Sequence, residues 1–333
     1  MFYLHLPTPA RSRILKFKSR LLYPAVLIFA IWCGAVFRAD LAQLSWSAIW
    51  ATRYAVLLAA ALSLLNYLGR AWRWDVYLKA LGFHLASRYV VLTFAAGFAF
   101  TLSPGKVGEM ARARYYQRDH AMPLSVTAAA FFIERLMDVL AMACLALLGL
   151  AAASNFNWLL AAAAVMLLGL LVLARAPWYA WQQRFSAGSG EHGGALRRAL
   201  DSALKTLVSA RVLLRPRLAL GAFALGLLSW GLEGVGLWLL AQQLAPSVEL
   251  HLATAIGIYA IAIIAGALSF LPGGLGGTEV VMAALLGAQG VTPASAIMIT
   301  LVCRVVTLWL AVAIGWLAVA ALRQPAVPNF KEA

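Results

Sequence analysis

The sequence predicts an all-α polytopic membrane protein, and three observations support this fold class. Of the 333 residues, 63% are hydrophobic and only 12% are charged, whereas a soluble domain of this length needs more polar surface. Apolar runs near the roughly 20 residues that cross a bilayer as a helix recur along the whole chain. The basic residues lie between these runs, where they orient membrane helices and meet anionic lipid headgroups.

Composition also argues against several other classes of protein. The net charge of +15 is spread between apolar runs, so it predicts contact with lipid headgroups and no nucleic-acid partner. The three cysteines and five histidines show no metal-site spacing, and the cysteines form no disulfide framework. No nucleotide-binding Gly-x-x-x-x-Gly-Lys-(Ser/Thr) motif is present. We therefore expect no metal and no cofactor.

Six apolar segments are predicted to cross the membrane: residues 21–37, 54–68, 124–152, 157–174, 218–241 and 294–322. Two further apolar stretches, 89–103 and 252–271, each run into a Pro-Gly turn and then into a second short helical segment. Either they cross the bilayer, or they dip in and return.

The distribution of positive charge distinguishes these two topologies. If both stretches are re-entrant, 23 Lys and Arg residues face the cytoplasm and two, Arg38 and Arg53, face outside. If both cross, the count becomes 11 inside and 14 outside. The re-entrant topology is favoured, with about six transmembrane helices, two hairpins inserted from opposite sides, and both termini cytoplasmic. We expect this multi-pass protein in a bacterial inner (plasma) membrane.

This topology defines the predicted organisation of the chain. A basic cytoplasmic N-terminus (1–20) precedes the first membrane half (21–174), which has its hairpin near 85–118. A cytoplasmic linker with an amphipathic helix (175–216) leads to the second half (217–323), which has its hairpin near 250–290. Residues 324–333 form a cytoplasmic tail.

The two predicted hairpins share a sequence pattern. Each has Pro-Gly-x-(Val/Leu)-Gly, then an acidic residue, and then a long span with an arginine 31 or 32 residues after the proline. This inverted repeat is typical of secondary transporters, whose sites lie near the midplane between repeats. The matching residues are Pro104, Gly105, Gly108, Glu109 and Arg135 in the first half, and Pro272, Gly273, Gly276, Glu279 and Arg304 in the second.

Proline breaks a helix and glycine permits a tight turn, so each pattern predicts the tip of a re-entrant hairpin. The helix after each tip would begin at depth, with free N–H groups and a positive dipole end that attract phosphate. A helix kink with glycines for close packing is the alternative. The duplication of the pattern favours the hairpin.

Charged residues inside spans are the second functional signal. Arg135 is predicted to lie about 16 Å along its helix, near mid-bilayer, beside Glu134 and with Asp138 on the same face. Arg304 has no acid in its own helix, so Glu279 and Glu233 are its candidate partners, and its loss is expected to act more selectively on transport. Such residues usually line a wet path. A structural ion-pair network is the alternative, and both roles can coexist.

Lys106 lies at the first tip, where its counterpart in the second half is Gly274. We expect Lys106 to attract an anionic headgroup, so headgroups would bind unequally from the two faces of the membrane. Arg112 and Arg114 fit either the same role or a juxtamembrane positive cluster.

Three segments resemble the lysylphosphatidylglycerol synthase transmembrane family: Ser103–Glu109, Phe132–Asp138 and Leu271–Gly276. The resemblance covers roughly residues 20–323 and implies a flippase-like fold with two opposed re-entrant hairpins. The best-known members, the bacterial multiple peptide resistance factors, move aminoacylated phosphatidylglycerol between leaflets and carry a soluble synthase domain. This chain resembles a stand-alone member without that domain, so the lipid it moves need not be lysylphosphatidylglycerol.

The sequence therefore predicts a lipid flippase or scramblase, and no enzyme. Its expected partners are membrane lipids, either anionic or aminoacylated phospholipids or polyprenyl-linked lipids, and it could form a homo-oligomer. Movement would be downhill or coupled to ions or protons. The alternatives are a transporter of a small soluble anion and a non-transporting accessory protein of a lipid-modifying enzyme. The candidate titrating groups are Glu109, Glu134, Asp138, Glu233 and Glu279.

Overall fold

The computed structural model describes residues 46–150, 175, 177–187 and 195–323. The predicted spans 21–37 and 157–174 and both terminal segments lie outside the described residues. The chain divides into two compact units, Met1–Ala51 and Thr52–Ala333. In the first unit the structure describes one short helix, α1 (Trp46–Ala51). All that follows concerns the second unit.

The described part of the second unit is helical and contains no β-strand. Two 3-10 segments, Pro104–Ala111 and Pro272–Gly274, and one π turn, Val305–Trp309, interrupt it. The α-helices are α2 (Arg53–Ala80), α3 (Ser87–Phe98), α4 (Arg112–His120), α5 (Leu124–Leu150), α6 (Trp178–Ala187), α7 (Ala195–Leu213), α8 (Pro216–Leu244), α9 (Leu252–Leu268), α10 (Gly277–Ala288), α11 (Pro293–Arg304) and α12 (Leu310–Arg323).

Three described helical stretches are long and apolar enough to cross a membrane: Arg53–Ala80, Pro216–Leu244 and Pro293–Leu322. The first extends well past the predicted end at residue 68. The sequence prediction placed Arg70 and Arg73 in a cytoplasmic loop, and this was wrong because both are buried in the second half of α2. Moving these two and the buried Arg112 out of the cytoplasmic count leaves 20 basic residues inside against two outside, so the predicted orientation does not depend on them.

Both Pro-Gly segments join two short helices that pack together. In the first, α3 (12 residues) is followed by the 3-10 helix and α4 (9 residues). In the second, α9 (17 residues) is followed by the short 3-10 turn and α10 (12 residues). At 1.5 Å per residue α3 spans about 18 Å and α9 about 26 Å, less than the hydrocarbon core of about 30 Å. A helix that reverses within the bilayer would have such lengths.

The two Pro-Gly turns contact each other. Gly273 lies against the first turn so closely that an added Cβ would come within 2.7 Å of a methyl group of Leu102. The two turns, about 170 residues apart in sequence, thus lie side by side in the structure.

Each hairpin also packs on the long helix of the other half. The first hairpin consists of α3, the 3-10 helix and α4, and the second of α9, the 3-10 turn and α10. Helix α3 of the first hairpin lies along α12, and helix α9 of the second lies along α5. Small residues permit this: a Cβ at Gly315 would be 2.2 Å from the backbone of Ala99, and one at Gly149 would be 2.3 Å from Gly257. Close backbone approach through glycine is a common way for membrane helices to associate. The reciprocal packing has the pattern expected of two interlocked repeats.

Helix α7 coincides with the predicted amphipathic helix and packs on α5 and α6. Its buried face includes Ala210 and Leu213, whereas Leu200 and Lys205 are exposed. Its position on the cytoplasmic leaflet stays a prediction.

Candidate functional site

Glu134, Arg135 and Asp138 form the centre of a buried ionic network on α5. The Nη2 atom of Arg135 lies 2.9 Å from Glu134 Oε1 and 3.3 Å from Asp138 Oδ2. The predicted pairing of Arg135 with Asp138, three residues on, is therefore found. Both carboxylates are almost fully buried.

Three further arginines enter this network, and none of them was predicted to do so. Arg73 on α2 donates to Asp138 Oδ1 at 2.5 Å, and Arg70 lies 3.4 Å from Glu134 Oε1. Arg112, at the start of α4, donates to Glu134 Oε2 at 2.5 Å and lies over the ring of Trp74 at 3.6 Å. The juxtamembrane interpretation of Arg112 was wrong, since it is 1% exposed; Arg114 is exposed.

Glu109 connects the first turn to this network. Its Oε1 accepts a hydrogen bond from Thr101 at 2.8 Å, and its Oε2 lies 3.6 Å from Arg135 Nη2. The first Pro-Gly turn is thus fixed to α5 by a buried acid that follows the turn directly.

Arg304 has a simpler environment. Its Nε donates to Glu279 Oε1 at 2.6 Å, and its Nη2 donates to the backbone carbonyl of Gly273 at 2.8 Å. Of the two predicted partners, Glu279 is the correct one. The arginine at the end of α11 therefore holds both the tip of the second hairpin and the start of α10.

The N–H groups at the tips are less open than the sequence predicted. The Gly276 N–H donates to Glu279 Oε2 at 2.6 Å, and the Gly108 N–H donates to Ser103 Oγ at 2.6 Å. These side chains occupy donors that were expected to be free for phosphate. Pro104 and Gly105 begin the 3-10 helix of the first turn. The structure does not describe their burial.

Lys106 has a left-handed backbone with φ of 56°, and its counterpart Gly274 has φ of 70°. Glycine adopts this conformation freely, whereas a lysine there is strained by about 1–2 kcal/mol. Within the described residues no carboxylate oxygen lies within 4 Å of its ammonium group, which is 5.9 Å from the ring centre of Trp230. A strained, unpaired cation at a tip is typical of a functional position.

Glu233 is not the partner of Arg304. It is buried in α8, where its Oε2 accepts a hydrogen bond from the hydroxyl of Tyr259 on α9. Tyr67 on α2 donates nearby to the backbone carbonyl of Thr307.

A cavity of about 340 Å³ lies between α5 and the second hairpin. Lys106, Arg135 and Arg304 line it, and so do exposed apolar side chains of the second hairpin, among them Leu268 and Phe270. Asp138 also lines the cavity, so its lining combines three cations and one acid with exposed apolar side chains.

A polar chamber of about 40 Å³ adjoins this cavity and shares Lys106, Trp230 and Arg304 with it. Its other polar lining residues are Tyr67, Arg70, Thr101, Glu109, Glu233, Tyr259 and Thr307. A polar space of this size can hold a water molecule.

The described charged groups around the two cavities do not balance. Six are cationic: Arg70, Arg73, Lys106, Arg112, Arg135 and Arg304. Five are acidic: Glu109, Glu134, Asp138, Glu233 and Glu279. Even with every acid ionised one positive charge is in excess, and Lys106 is the cation without a close acidic partner. The arrangement can attract an anion.

Comparison with known proteins gives an independent result. Residues 20–315 match the family described as the lysylphosphatidylglycerol synthase TM region. A UPF0104 membrane protein of Methanothermobacter thermautotrophicus is 41% identical over 93 residues, which are 28% of this chain and 27% of that protein. The chain thus matches about a quarter of that relative's length. Because the family match covers most of the sequence, the chain belongs to the lysylphosphatidylglycerol synthase transmembrane-region family.

Proposed function

We propose that this protein moves a phosphate-bearing lipid headgroup between the leaflets of a membrane, as a flippase or scramblase-like transporter. One observation carries the proposal: a single cavity combines three cations, Lys106, Arg135 and Arg304, and one acid, Asp138, with exposed apolar side chains. A lipid has the same division between an anionic phosphate and acyl chains. A site for a fully hydrated solute has no need of an apolar opening to the side.

The cations are placed to bind phosphate while they remain held in position. Arg304 uses Nε for Glu279 and Nη2 for the Gly273 carbonyl, which leaves Nη1 for a ligand. Lys106 supplies an ammonium group without a close acid. Guanidinium and ammonium groups form strong charge-assisted hydrogen bonds with phosphate oxygens. The acyl chains would leave past Val139, Leu268 and Phe270.

The proposed path runs between two hairpins that enter the membrane from opposite sides. The short helices, the contact between the turns and the reciprocal packing of each hairpin on the other half support this topology. In transporters with inverted repeats, substrates bind near the midplane between such elements. The apolar spans and the family support a membrane location, and we propose the inner membrane with both termini cytoplasmic.

Family membership suggests which lipids to test first. The name of the family refers to lysylphosphatidylglycerol, whose headgroup contains a phosphate and an added amino acid. We include plain anionic phospholipids, aminoacylated phospholipids and polyprenyl-linked lipids, because all of them carry the phosphate that Lys106, Arg135 and Arg304 would bind.

The test is leaflet exchange of fluorescent phosphatidylglycerol in proteoliposomes, followed by quenching of the outer leaflet. Wild type is expected to exchange the lipid, and Lys106→Gln to slow the exchange about tenfold because one phosphate contact is lost. Lys205→Gln on the exposed face of α7 is the matched control and should exchange at the wild-type rate. Absence of exchange by wild type would contradict the proposal, and equal exchange by wild type and Lys106→Gln would contradict the role of Lys106 in it.

The same vesicles separate the alternative functions. Uptake of labelled inorganic phosphate without lipid exchange would identify a transporter of small soluble anions, for which the excess of cations lining the polar chamber is the supporting observation. Absence of both activities with every lipid tested would favour a non-transporting accessory protein.

A further inference from the structure

Glu233 differs from the other four candidate titrating acids. Glu109, Glu134, Asp138 and Glu279 each have an arginine nitrogen within 4 Å. Among the described residues no lysine or arginine nitrogen comes within 4 Å of the Glu233 carboxylate, whose hydrogen bond comes from the Tyr259 hydroxyl. Glu233 is only 4% exposed. A buried acid without a counter-ion is the group that can lose its charge with the least disturbance of its surroundings.

Glu233 nevertheless has several charged or titratable groups around it. They are Tyr67 and Arg70 on α2, Lys106 and Glu109 on the first hairpin, Tyr259 on α9, and Cys303 and Arg304 on α11. Helix α5 also packs on α8, and its charged groups Glu134, Arg135 and Asp138 are paired with one another and with Arg70, Arg73 and Arg112. Lys106 and Arg304 are also lining residues of the larger cavity. The charge on Glu233 therefore acts on two of the three cations that we assign to the phosphate.

We infer that Glu233 is a proton-binding site coupled to the headgroup site, so that a proton and an anionic lipid bind together. The inference rests on the function proposed above. Ionised Glu233 offsets part of the positive field of Lys106 and Arg304, and a proton on its carboxylate restores that field for the phosphate. By linkage, phosphate binding must favour proton binding to the same extent.

The coupling needs no covalent step. A proton from water joins the free oxygen of the carboxylate when the headgroup enters, and it returns to water when the headgroup leaves. The polar chamber can hold the water that carries this proton. A transporter of this kind would move its lipid together with a proton and could use a proton gradient.

Calorimetric titration of the purified protein with dihexanoyl phosphatidylglycerol, a water-soluble short-chain lipid, tests the coupling. Titrations in two buffers of different ionisation enthalpy give the number of protons taken up for each lipid bound. Wild type is expected to take up protons, approaching one for each lipid. Glu233→Gln should bind the lipid about tenfold more tightly without proton uptake, because its neutral amide resembles the protonated acid.

The design includes a control and separates the two proposals. The side-chain amide of Glu233→Gln can still accept the hydrogen bond from Tyr259, so folding should persist, and a melting curve checks it. Glu249→Gln, at an exposed acid outside both cavities, should take up protons as wild type does. Binding to wild type without proton uptake from about pH 5 to about pH 9, or equal uptake by Glu233→Gln, would overturn the coupling alone. Absence of any binding would overturn the proposed function as well.

Discussion

The two Pro-Gly turns match in sequence and contact each other, yet their electrostatic surroundings differ. The first is connected through Glu109 to a network in which Glu134 alone faces four arginines within 4 Å. The second depends on one ion pair, Arg304 with Glu279, and one bond to the Gly273 carbonyl. Matching positions thus preserve the turn, while the neighbouring helices determine how many charged partners each turn has.

This difference indicates that replacing Arg135 lowers the stability of the fold less than replacing its counterpart Arg304. In the first half, loss of one cation leaves three others near the same acids. In the second half, loss of Arg304 leaves a buried acid without a counter-ion. The first half is therefore the more robust scaffold, and the second is the half in which stability and ligand contact depend on the same side chain.

The proposed insertion of the two hairpins from opposite sides of the membrane gives the largest expected effect. In a background without native cysteines, His120→Cys at the end of α4 should be labelled only from the cytoplasmic side, and Gln289→Cys after α10 only from outside. Both positions are exposed in the structure. The measurement is labelling with an impermeant maleimide in inside-out and right-side-out vesicles. Labelling of both positions from one side would end the inverted-repeat account.

The arginines give the next largest effect. Arg304→Gln should lower the free energy of unfolding by about 3 kcal/mol, because Glu279 remains buried without its counter-charge. Arg135→Gln should cost about 1 kcal/mol, because Arg70, Arg73 and Arg112 still compensate Glu134 and Asp138. The sequence predicted instead that loss of Arg304 would affect transport more selectively, with less effect on stability than loss of Arg135. Denaturation in detergent compares the two variants. Equal losses of unfolding free energy would show that Arg70, Arg73 and Arg112 do not compensate for the loss of Arg135.

The second glycines of the two patterns are needed for different reasons. A Cβ at Gly108 would lie 2.5 Å from the carbonyl oxygen of Phe100, whereas one at Gly276 meets a methyl group of Leu271 at 3.6 Å. Gly276 instead has a φ of 86°, which strains other residues. We expect Gly108→Ala to cost about 3 kcal/mol by steric overlap and Gly276→Ala about 1–2 kcal/mol by backbone strain. Melting curves that rank them in the opposite order would refute this distinction.

Lys106 gives the smallest change in stability and a large change in function. Lys106→Gly makes the first tip resemble the second, so it should stabilise the fold by up to about 1 kcal/mol while slowing lipid exchange. The matched control is Ala121→Gly, at another residue with positive φ (50°) that lies outside both cavities. It should gain similar stability and retain full exchange. A Lys106→Gly variant that exchanges lipid at the wild-type rate would show that the strain serves no transport role.

Local spacing predicted those features that depend on one helix or one turn. The three-residue separation of Arg135 and Asp138 places them on one helical face, and the Pro-Gly pattern predicted both turns. Arg70 and Arg73 were missed because hydropathy falls at residue 68, although the helix continues to Ala80. Their own three-residue spacing was a signal that they share a face.

Partners from distant helices could not be deduced in the same way. Arg73 and Asp138 are 65 residues apart, and only the packing of α2 against α5 brings them together. Glu233 and Glu279 were equal candidates for Arg304 because helical periodicity gives no information on which helices are neighbours. The contact of Glu233 with Tyr259 follows from the packing of α8 on α9.

The central claim is that Lys106, Arg135 and Arg304 hold a lipid phosphate, and the lipids that co-purify with the protein test it most directly. After matched detergent washing, mass spectrometry of wild type and of Lys205→Gln should detect the same bound phosphate-bearing lipid. Lys106→Gln should retain about a tenth as much, because one charge-assisted contact is missing. Equal amounts of that lipid in Lys106→Gln and wild type, or only phosphate-free lipids in wild type, would contradict the account.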